Sequence, residues 1–300
     1  MNAPAFQATP ERILQRLDWH VIRRLDGILQ GDYRSLFHGF GLDFSDLRAY
    51  QVEDDIRYID WNVTARMNAP FIRQYHEDRE ITAWFLLDIS PSMDFGSFDT
   101  LKRIIAQDLV AVLARLLTRH GNRVGAIFHD GVKGKMIPAR GGKLQTLLMI
   151  HELLRQAPQP RASLTNLSAL LDDALHSIKR RSLIFIVSDF ISTPGWERKL
   201  RLLSHRHEVI GVHVLDRAEM DLPDAGLILL RDAETGEQLY VDTHDRAFRE
   251  RFSLLVDQRR GELAQAFNRA GSDLLKLSTD EDLVRAILRF VALRRRRGAM

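Results

Sequence analysis

The sequence predicts an α/β protein built on a doubly wound, mostly parallel sheet, with an N-terminal helix and a small strand-containing subdomain packed on it. Three observations lead to this fold class. Apolar runs of strand length alternate with amphipathic helical stretches from residue 81 onward. These runs are apolar enough to be buried on both faces, as parallel strands are. Residues 31–80 are instead polar and aromatic, without a sustained helical period. The predicted units are therefore 1–80 and 81–300.

The first unit begins with a helix predicted over 9–29. Thr9 can cap it, Pro10 suits its first turn, and apolar residues recur every four positions. These apolar residues are Ile13, Leu17, Val21 and Leu25. For residues 31–80 we expect only short strands, such as one within "FIRQY" (71–75), and ordered turns.

The second unit alternates strands and helices. Main strands are predicted at 81–88, 123–129, 182–189, 208–216 and 273–279, with an edge strand at 134–139. A hairpin is predicted at 227–243, with Thr235 and Gly236 in its turn region. A long amphipathic helix ends at Gly121, and later helices are predicted at about 142–156, 166–180, 195–206, 245–270 and after 279.

Composition limits the function classes. The chain is 45% hydrophobic and 28% charged, as ordinary globular proteins are. No apolar run approaches the ~20 residues of a membrane span, and the first residues lack the pattern of a secretory signal. We therefore expect a cytoplasmic protein with no membrane span. The absence of cysteine excludes disulfides and thiolate metal sites. The 43 basic and 40 acidic residues of the chain are interspersed, which argues against a nucleic-acid-binding surface.

The exception is the basic run Arg294 to Arg297 near the C-terminus. Its positive charges suit the C-terminal end of a helix dipole, so a solvated helix end is expected. Docking of an acidic partner and salt-sensitive binding of nucleic acid remain alternatives for this run.

Oxygen-bearing side chains follow two predicted strands. Asp88 and Asp189 stand at strand ends, and ligands of open parallel sheets bind beyond the carboxyl ends of strands. Ser90 and Ser92 follow the first strand, and Thr165 precedes a predicted helix. Mg²⁺ prefers an octahedral oxygen shell with few carboxylates and several waters. The sequence therefore predicts an open site for Mg²⁺ or another divalent cation.

A purely structural role is the alternative for the same residues. The two serines can cap the turn that follows them, while Asp88 and Asp189 accept backbone hydrogen bonds. The second strand-end aspartate and the threonine favour the metal site over this alternative.

The stretch "DISPSM", residues 88–93, resembles the D-x-S-x-S motif of von Willebrand factor A domains, which have a doubly wound sheet and a metal-ion-dependent adhesion site. The resemblance implies the metal ligands Asp88, Ser90 and Ser92 from a first loop, Thr165 from a second and Asp189 from a third. Ser163 and Leu164 replace a common glycine pair, so Ser163 or Ser168 are alternatives to the threonine. Pro91 replaces a residue that is usually small.

The segment "FSDLRAYQVEDDIRYIDWNVTARMNAPFIRQYHEDRE" (44–80) resembles the signature of the domain-of-unknown-function 58 family, which pairs it with a von Willebrand A-like domain. The matching residues are Leu47, Arg48, Tyr50, Asp54, Asp55, Arg57, Ile59, Asp60, Trp61, Ala65, Arg66, Arg73 and Arg79. Glu53 departs from the pattern, where glycine is usual. The mixed charges of "DDIRYIDW" are expected to form a satisfied network against Trp61, with a partner-recognition surface as the alternative.

These features predict a non-enzymatic protein. The chain has no phosphate-binding G-x-x-x-x-G-K-[ST] loop, no G-x-S-x-G elbow and no H-E-x-x-H helix. The leading hypothesis is a metal-dependent interaction module, in which an acidic residue of a protein partner completes the metal shell. The family resemblance further implies an adaptor for a MoxR-type AAA+ ATPase in the assembly or maturation of client proteins. A Mg-dependent phosphohydrolase using the same site is the alternative.

Overall fold

The first elements of the chain are helices. The computed structural model describes residues 9–28, 47–51, 59, 61–67, 69–73, 80–97, 100–130, 134–155 and 165–298. Helices α1 (Pro10–Leu17) and α2 (Arg23–Ile28) are joined by a π-helical turn, Asp18–Ile22. The Thr9 hydroxyl accepts a hydrogen bond from the Arg12 amide at 3.4 Å, and Pro10 lies in the first turn. The predicted start of this helix is therefore confirmed.

The buried face of these helices differs from the prediction. The fully buried residues are Leu14, Leu17, Ile22 and Leu25. Ile13 and Val21, which the four-residue period placed in the core, are only partly buried against it. A π turn spaces residues on one face five apart, which explains the step from Leu17 to Ile22.

A small two-stranded sheet follows. Strand β1 (Leu47–Ala49) pairs antiparallel with β2 (Phe71–Arg73), and helix α3 (Trp61–Met67) lies between them in the chain. The strand within 71–75 is confirmed, but the expectation of strands and turns alone was wrong because α3 is helical. Seven residues make fewer than two helical turns, too few for a detectable period. The Thr64 hydroxyl ties this helix to β2 by accepting the Phe71 amide at 3.0 Å.

The predicted charge network of "DDIRYIDW" falls largely outside the described residues, since 52–58 and 60 belong to no described range. Trp61 itself is described, and 70% of its surface is exposed. The charge network against Trp61 therefore stays a prediction.

The central feature is a six-stranded sheet. The remaining strands of the described chain are β3 (Thr82–Asp88), β4 (Arg123–His129), β5 (Gly134–Arg140), β6 (Leu183–Ser188), β7 (Glu208–Leu215), β8 (Leu227–Arg231), β9 (Gln238–Asp242) and β10 (Asp273–Ser278). The sheet has the order β10-β7-β6-β3-β4-β5, and only β5 runs antiparallel to its neighbour. The predicted doubly wound, mostly parallel sheet is confirmed.

Strand order places a crevice at the carboxyl ends of β3 and β6. From β3 the chain first continues to β4 on one side, and then returns to β6 on the other side. Strand order thus reverses between β3 and β6, the position where open α/β sheets bind ligands. Asp88 ends β3, and Asp189 follows β6 directly.

Helices cover both faces of the sheet. The larger helices are α4 (Lys102–Arg119), α5 (Lys143–Arg155), α6 (Leu167–Ser177), α7 (Trp196–Arg206), α8 (Arg246–Arg269) and α9 (Leu283–Gly298). Alternate residues of β3 enter two different cores: Phe85 packs with α1, α4, α5 and α9, whereas Trp84 and Leu86 pack with α6, α7 and α8. Within the part of the chain described, no helix is both long and apolar enough to cross a membrane.

The hairpin β8–β9 forms its own antiparallel sheet, with Gly236 in its turn at a φ of +76°, as predicted for 227–243. The solvated helix end predicted for Arg294 was wrong. Its side chain is 11% exposed and lies between Asp273, at 2.8 Å, and Glu208. Nothing is described of the side chains of residues 295–297.

Candidate functional site

The loop after β3 gathers three buried oxygen-bearing side chains. Asp88 Oδ1 accepts a hydrogen bond from the Ser90 amide at 3.0 Å. The hydroxyls of Ser90 and Ser92 lie 3.0 Å apart. Ser90 precedes a 3₁₀ turn, Pro91–Asp94, but its hydroxyl makes no capping bond to that turn. The two serine hydroxyls therefore bond to each other and do not cap the turn. Asp88, in contrast, accepts a backbone hydrogen bond, as expected if its role is purely structural.

The loop after β6 brings Asp189 to the same edge of the sheet. Ser188, at the end of β6, donates its hydroxyl to Asp88 Oδ2 at 2.5 Å and so links the two strand ends. The chain then turns sharply at Phe190, whose φ of 57° is unusual for a residue with a side chain. Asp189 Oδ1 accepts the Ile191 amide at 2.9 Å.

The two aspartates interact electrostatically. Burial, and then the charge of Asp189, raise the pKa of Asp88 to about 6, against the opposing effect of hydrogen bonds from Ser188 and Ser90. A buried carboxylate beside a second carboxylate is destabilised in its charged form. A bound cation relieves that repulsion, so the electrostatics of this pair fit a metal ion.

A buried lysine balances part of this negative charge. Lys102, in the first turn of α4, is fully buried, and its Nζ lies 2.8 Å from Asp189 Oδ2 and 2.6 Å from Glu219 Oε1. Burial alone would lower the pKa of Lys102, but the two carboxylates outweigh burial and raise it. Lys102 is therefore an ammonium ion whose single positive charge is shared between Asp189 and Glu219.

Thr165 contacts the loop that follows Asp189, and none of its hydrogen bonds joins it to Asp88, Ser90 or Ser92. Its carbonyl oxygen accepts hydrogen bonds from the Ser192 hydroxyl at 2.9 Å and from the Thr193 amide at 3.1 Å. The threonine is buried and directly precedes Asn166, the cap of α6. Of the alternatives to Thr165, Ser168 is partly buried in α6, and Ser163 lies outside the described residues.

A carboxylate from a distant hairpin also contacts this threonine. Glu234, in the turn between β8 and β9, accepts the Thr165 amide at 2.6 Å through Oε2 and the Thr165 hydroxyl through Oε1. Sequence reasoning missed Glu234, Lys102 and Glu219. Of these three residues, only Glu234 stands beside a recognisable motif, the Thr235–Gly236 turn. That motif predicts a hairpin and gives no indication of a site residue.

The site offers hard oxygen ligands in a buried crevice. Two carboxylates and the hydroxyls of Ser90, Ser92 and Thr165 match the ligand types that Mg²⁺ and Ca²⁺ prefer. Over the described ranges, no three His, Asp or Glu side chains are grouped so as to hold a metal ion by themselves. Hydroxyls and waters would have to complete the shell. The binding of an ion by Asp88, Ser90, Ser92, Thr165 and Asp189 stays a prediction.

Comparisons with known proteins place these residues in a family context. The family model described as "Protein of unknown function DUF58" matches residues 46–262. An uncharacterized protein of Mycobacterium tuberculosis is 37% identical over 287 residues, which cover 96% of this chain and 90% of that protein. An uncharacterized protein of Mycobacterium avium is 33% identical over 164 residues, 55% of this chain and 96% of that protein.

Solved structures show weaker similarity. The conserved hypothetical protein BatB from Bacteroides thetaiotaomicron aligns with a TM-score of 0.47 and 16% identity, over 72% of this chain and 99% of that one. The SpRpn10 VWA domain aligns with a TM-score of 0.41 and 11% identity, over 70% of this chain and 93% of that one. Both similarities are too low to indicate a shared activity.

Proposed function

Because this chain belongs to the DUF58 family, and its crevice combines a buried pair of aspartates with hydroxyl ligands, we propose that it is a metal-dependent protein–protein interaction module. The observation that carries the proposal is the position of Asp88 and Asp189. Both lie at the carboxyl edge of the sheet, at the reversal of strand order, and burial together with the charge of Asp189 raises the pKa of Asp88. That arrangement favours a cation in the crevice.

In this proposal Asp88, Ser90, Ser92, Thr165 and Asp189 hold a divalent cation, Mg²⁺ above all. The bound ion supplies positive charge that attracts an aspartate or glutamate of the partner. Lys102 strengthens this effect because it already neutralises part of the charge of Asp189. Serine and threonine hydroxyls are neutral ligands, so they leave the charge of the ion largely uncompensated.

The finer part of the proposal concerns the partner. The resemblance of residues 44–80 to the family signature supports an adaptor that links a MoxR-type AAA+ ATPase to client proteins. The chain lacks a phosphate-binding loop of its own, so the energy for client remodelling would come from that ATPase.

A binding experiment with three proteins tests the proposal. Immobilised wild-type chain, the double variant S90A/S92A and the control S177A, altered at an exposed serine at the end of α6, are mixed with a purified MoxR-type ATPase from the same genome. Wild type and S177A should retain the ATPase in Mg²⁺ and release it in EDTA, whereas S90A/S92A should retain little in either. Equal retention by all three proteins in Mg²⁺ and in EDTA contradicts the proposal.

A further inference from the structure

A small cavity lies beside the carboxyl end of β7. The loop after β6, the end of β7, the turn that follows it and the helix α8 supply its lining residues. Asp189 is one of them, but Asp88, Ser90 and Ser92 are not. The cavity therefore adjoins the proposed metal site without containing its hydroxyl ligands, and a molecule bound there needs no metal ion.

The size of the cavity suits a small organic molecule. It offers about 100 Å³ of space for the centres of water-sized molecules. One buried water needs roughly 10–15 Å³ of such space, so the cavity is larger than one or two waters require. The exposed Arg259 is among the lining residues, so the cavity opens to solvent and a ligand can enter from there.

Two buried nitrogen atoms at the cavity have no hydrogen-bond partner within the described part of the chain. One is Nδ1 of His213, a residue that is 8% exposed, and the other is Nε of Arg260. Arg260 Nη1 donates to Asp257 at 3.3 Å, and this bond does not involve Nε. Buried polar atoms are nearly always paired in folded proteins, so these two atoms mark a position for a polar group from outside the chain.

The carboxylates at the cavity already have partners. Lys102 lies 2.8 Å from Asp189 Oδ2 and 2.6 Å from Glu219 Oε1. Asp189 Oδ1 accepts the Ile191 amide at 2.9 Å, and Glu219 Oε2 accepts the Asp216 amide at 3.3 Å. A cationic ligand would therefore find no unpaired carboxylate among the residues that line the cavity.

The two unpartnered atoms select a hydrogen-bond acceptor instead. Arg260 Nε carries a hydrogen and can only donate, and Nδ1 of a neutral histidine donates in one of its two tautomers. A carboxylate has two oxygens and accepts from two donors at once, and its bonds to a guanidinium are stronger than those between neutral groups. A carboxylate thus satisfies both His213 and Arg260.

The rest of the wall is apolar. It includes Phe190, Ile191, Leu215, Met220, Val256 and Leu263. We propose that the cavity binds a small carboxylate with a short hydrocarbon chain. Its carboxylate bonds to Arg260 and His213, and its chain packs on the apolar wall, as is usual for a pocket with few polar groups. This inference goes beyond the proposed function and does not depend on it.

Ordered water is the competing explanation, because buried waters also satisfy unpaired polar groups. The two explanations differ in selectivity between ligands. A carboxylate site prefers an anion to an amine of the same chain length, and a longer chain to a shorter one. A cavity that serves only to hold water binds none of these molecules saturably.

Butyrate, acetate and butylamine are titrated into the full chain in EDTA, and saturation-transfer NMR of each ligand gives its dissociation constant. We expect butyrate to bind with a dissociation constant of about 1 mM or lower. Acetate should bind on the order of tenfold more weakly, because it lacks two methylene groups that pack on the wall. Butylamine should show no saturation.

Three variants locate the binding. R260Q removes the guanidinium, V256F fills the cavity but keeps both nitrogen atoms, and R251Q alters an exposed arginine of the same helix as the control. R260Q and V256F should bind butyrate on the order of tenfold more weakly, whereas R251Q should bind it like wild type. Circular dichroism verifies that each variant is folded, and the two cavity variants change the site in different ways.

The proposal is overturned if folded wild type does not bind butyrate saturably, or if butylamine binds as well as butyrate. Unchanged butyrate binding in either R260Q or V256F also overturns it, because the ligand would then lie elsewhere. An equal loss in R251Q would indicate nonspecific attraction to positive charge, with the same consequence. Because EDTA is present throughout, none of these outcomes bears on the proposed metal-dependent function.

Discussion

At the scale of single residues, His213 shows how burial controls a charge near the site. It lies in β7, 8% exposed, and burial lowers its pKa to about 4, with Asp189 raising it and Lys276, Arg260 and Lys102 lowering it further. Glu219 and Arg259 line the same small cavity as His213. Its Nδ1 atom has no hydrogen-bond partner among the described residues. His213 is therefore neutral in the folded protein at pH values where the unfolded chain binds a proton.

This difference predicts a loss of stability in acid. Between the unfolded pKa of 6.5 and the folded pKa of about 4, the unfolded chain binds more protons, so the free energy of unfolding falls as the pH falls. From pH 7 to pH 5 the His213 contribution falls by about 2 kcal/mol. Urea unfolding in EDTA at the two pH values should show this loss as the difference between wild type and H213F.

The comparison with H213F also separates the effect of Asp88. The raised pKa of Asp88 has the opposite effect on stability. Because its carboxyl binds a proton at a higher pH in the folded protein than in the unfolded chain, the free energy of unfolding rises as the pH falls through about 6. That gain is common to wild type and H213F, so it cancels in their difference. An equal pH dependence of the two proteins would show that His213 is not the titrating group.

The residues that sequence could predict at the site are those with local signals. Asp88, Ser90 and Ser92 are near neighbours in the chain, and Asp189 ends a recognisable strand. Lys102, Glu219 and Glu234 gave no such signal, because their contacts span 87, 117 and 69 positions. Their roles depend on the packing of α4 and of the hairpin against the sheet edge.

At the scale of elements, the periodic spacing of apolar residues along the sequence predicted most strands and helices of residues 81–298. It failed where an element was short, as for α3, or irregular, as at the π turn between α1 and α2. Both failures have the same cause, since a period is detectable only over several regular turns.

Packing between β7 and α8 provides a test at this scale. A Cβ atom on Gly211 would lie 2.3 Å from the Phe267 ring, which is fully buried, whereas nothing lies within 4 Å of a Cβ on Gly261 of α8. Gly211→Ala should lower the free energy of unfolding by about 1–3 kcal/mol through overpacking.

Gly261→Ala is the matched control, and it should raise the free energy of unfolding by up to about 1 kcal/mol, because alanine favours an exposed helical position. Thermal unfolding of both variants gives the comparison. A Gly211→Ala protein as stable as wild type would mean that Phe267 does not pack tightly on β7.

At the scale of the whole molecule, the alternation of strands and helices predicted a doubly wound sheet, but not the order of its strands. The order matters because it places β3 beside β6 and so brings Asp88 and Asp189 together across 101 positions of sequence. Sequence reasoning placed both aspartates at one edge because each stands at the end of a predicted parallel strand, and the strand order makes those two strands neighbours. Whether Asp88 and Asp189 bind a metal ion is the question that a measurement must answer.

Calorimetric titration of Mg²⁺ into the folded chain is that measurement. We expect saturable binding of one ion to wild type and to S177A, and at least about tenfold weaker binding to S90A/S92A and to D88A, which lose ligands. No heat of binding in wild type, or the same affinity in all four proteins, would show that these residues do not form a metal site.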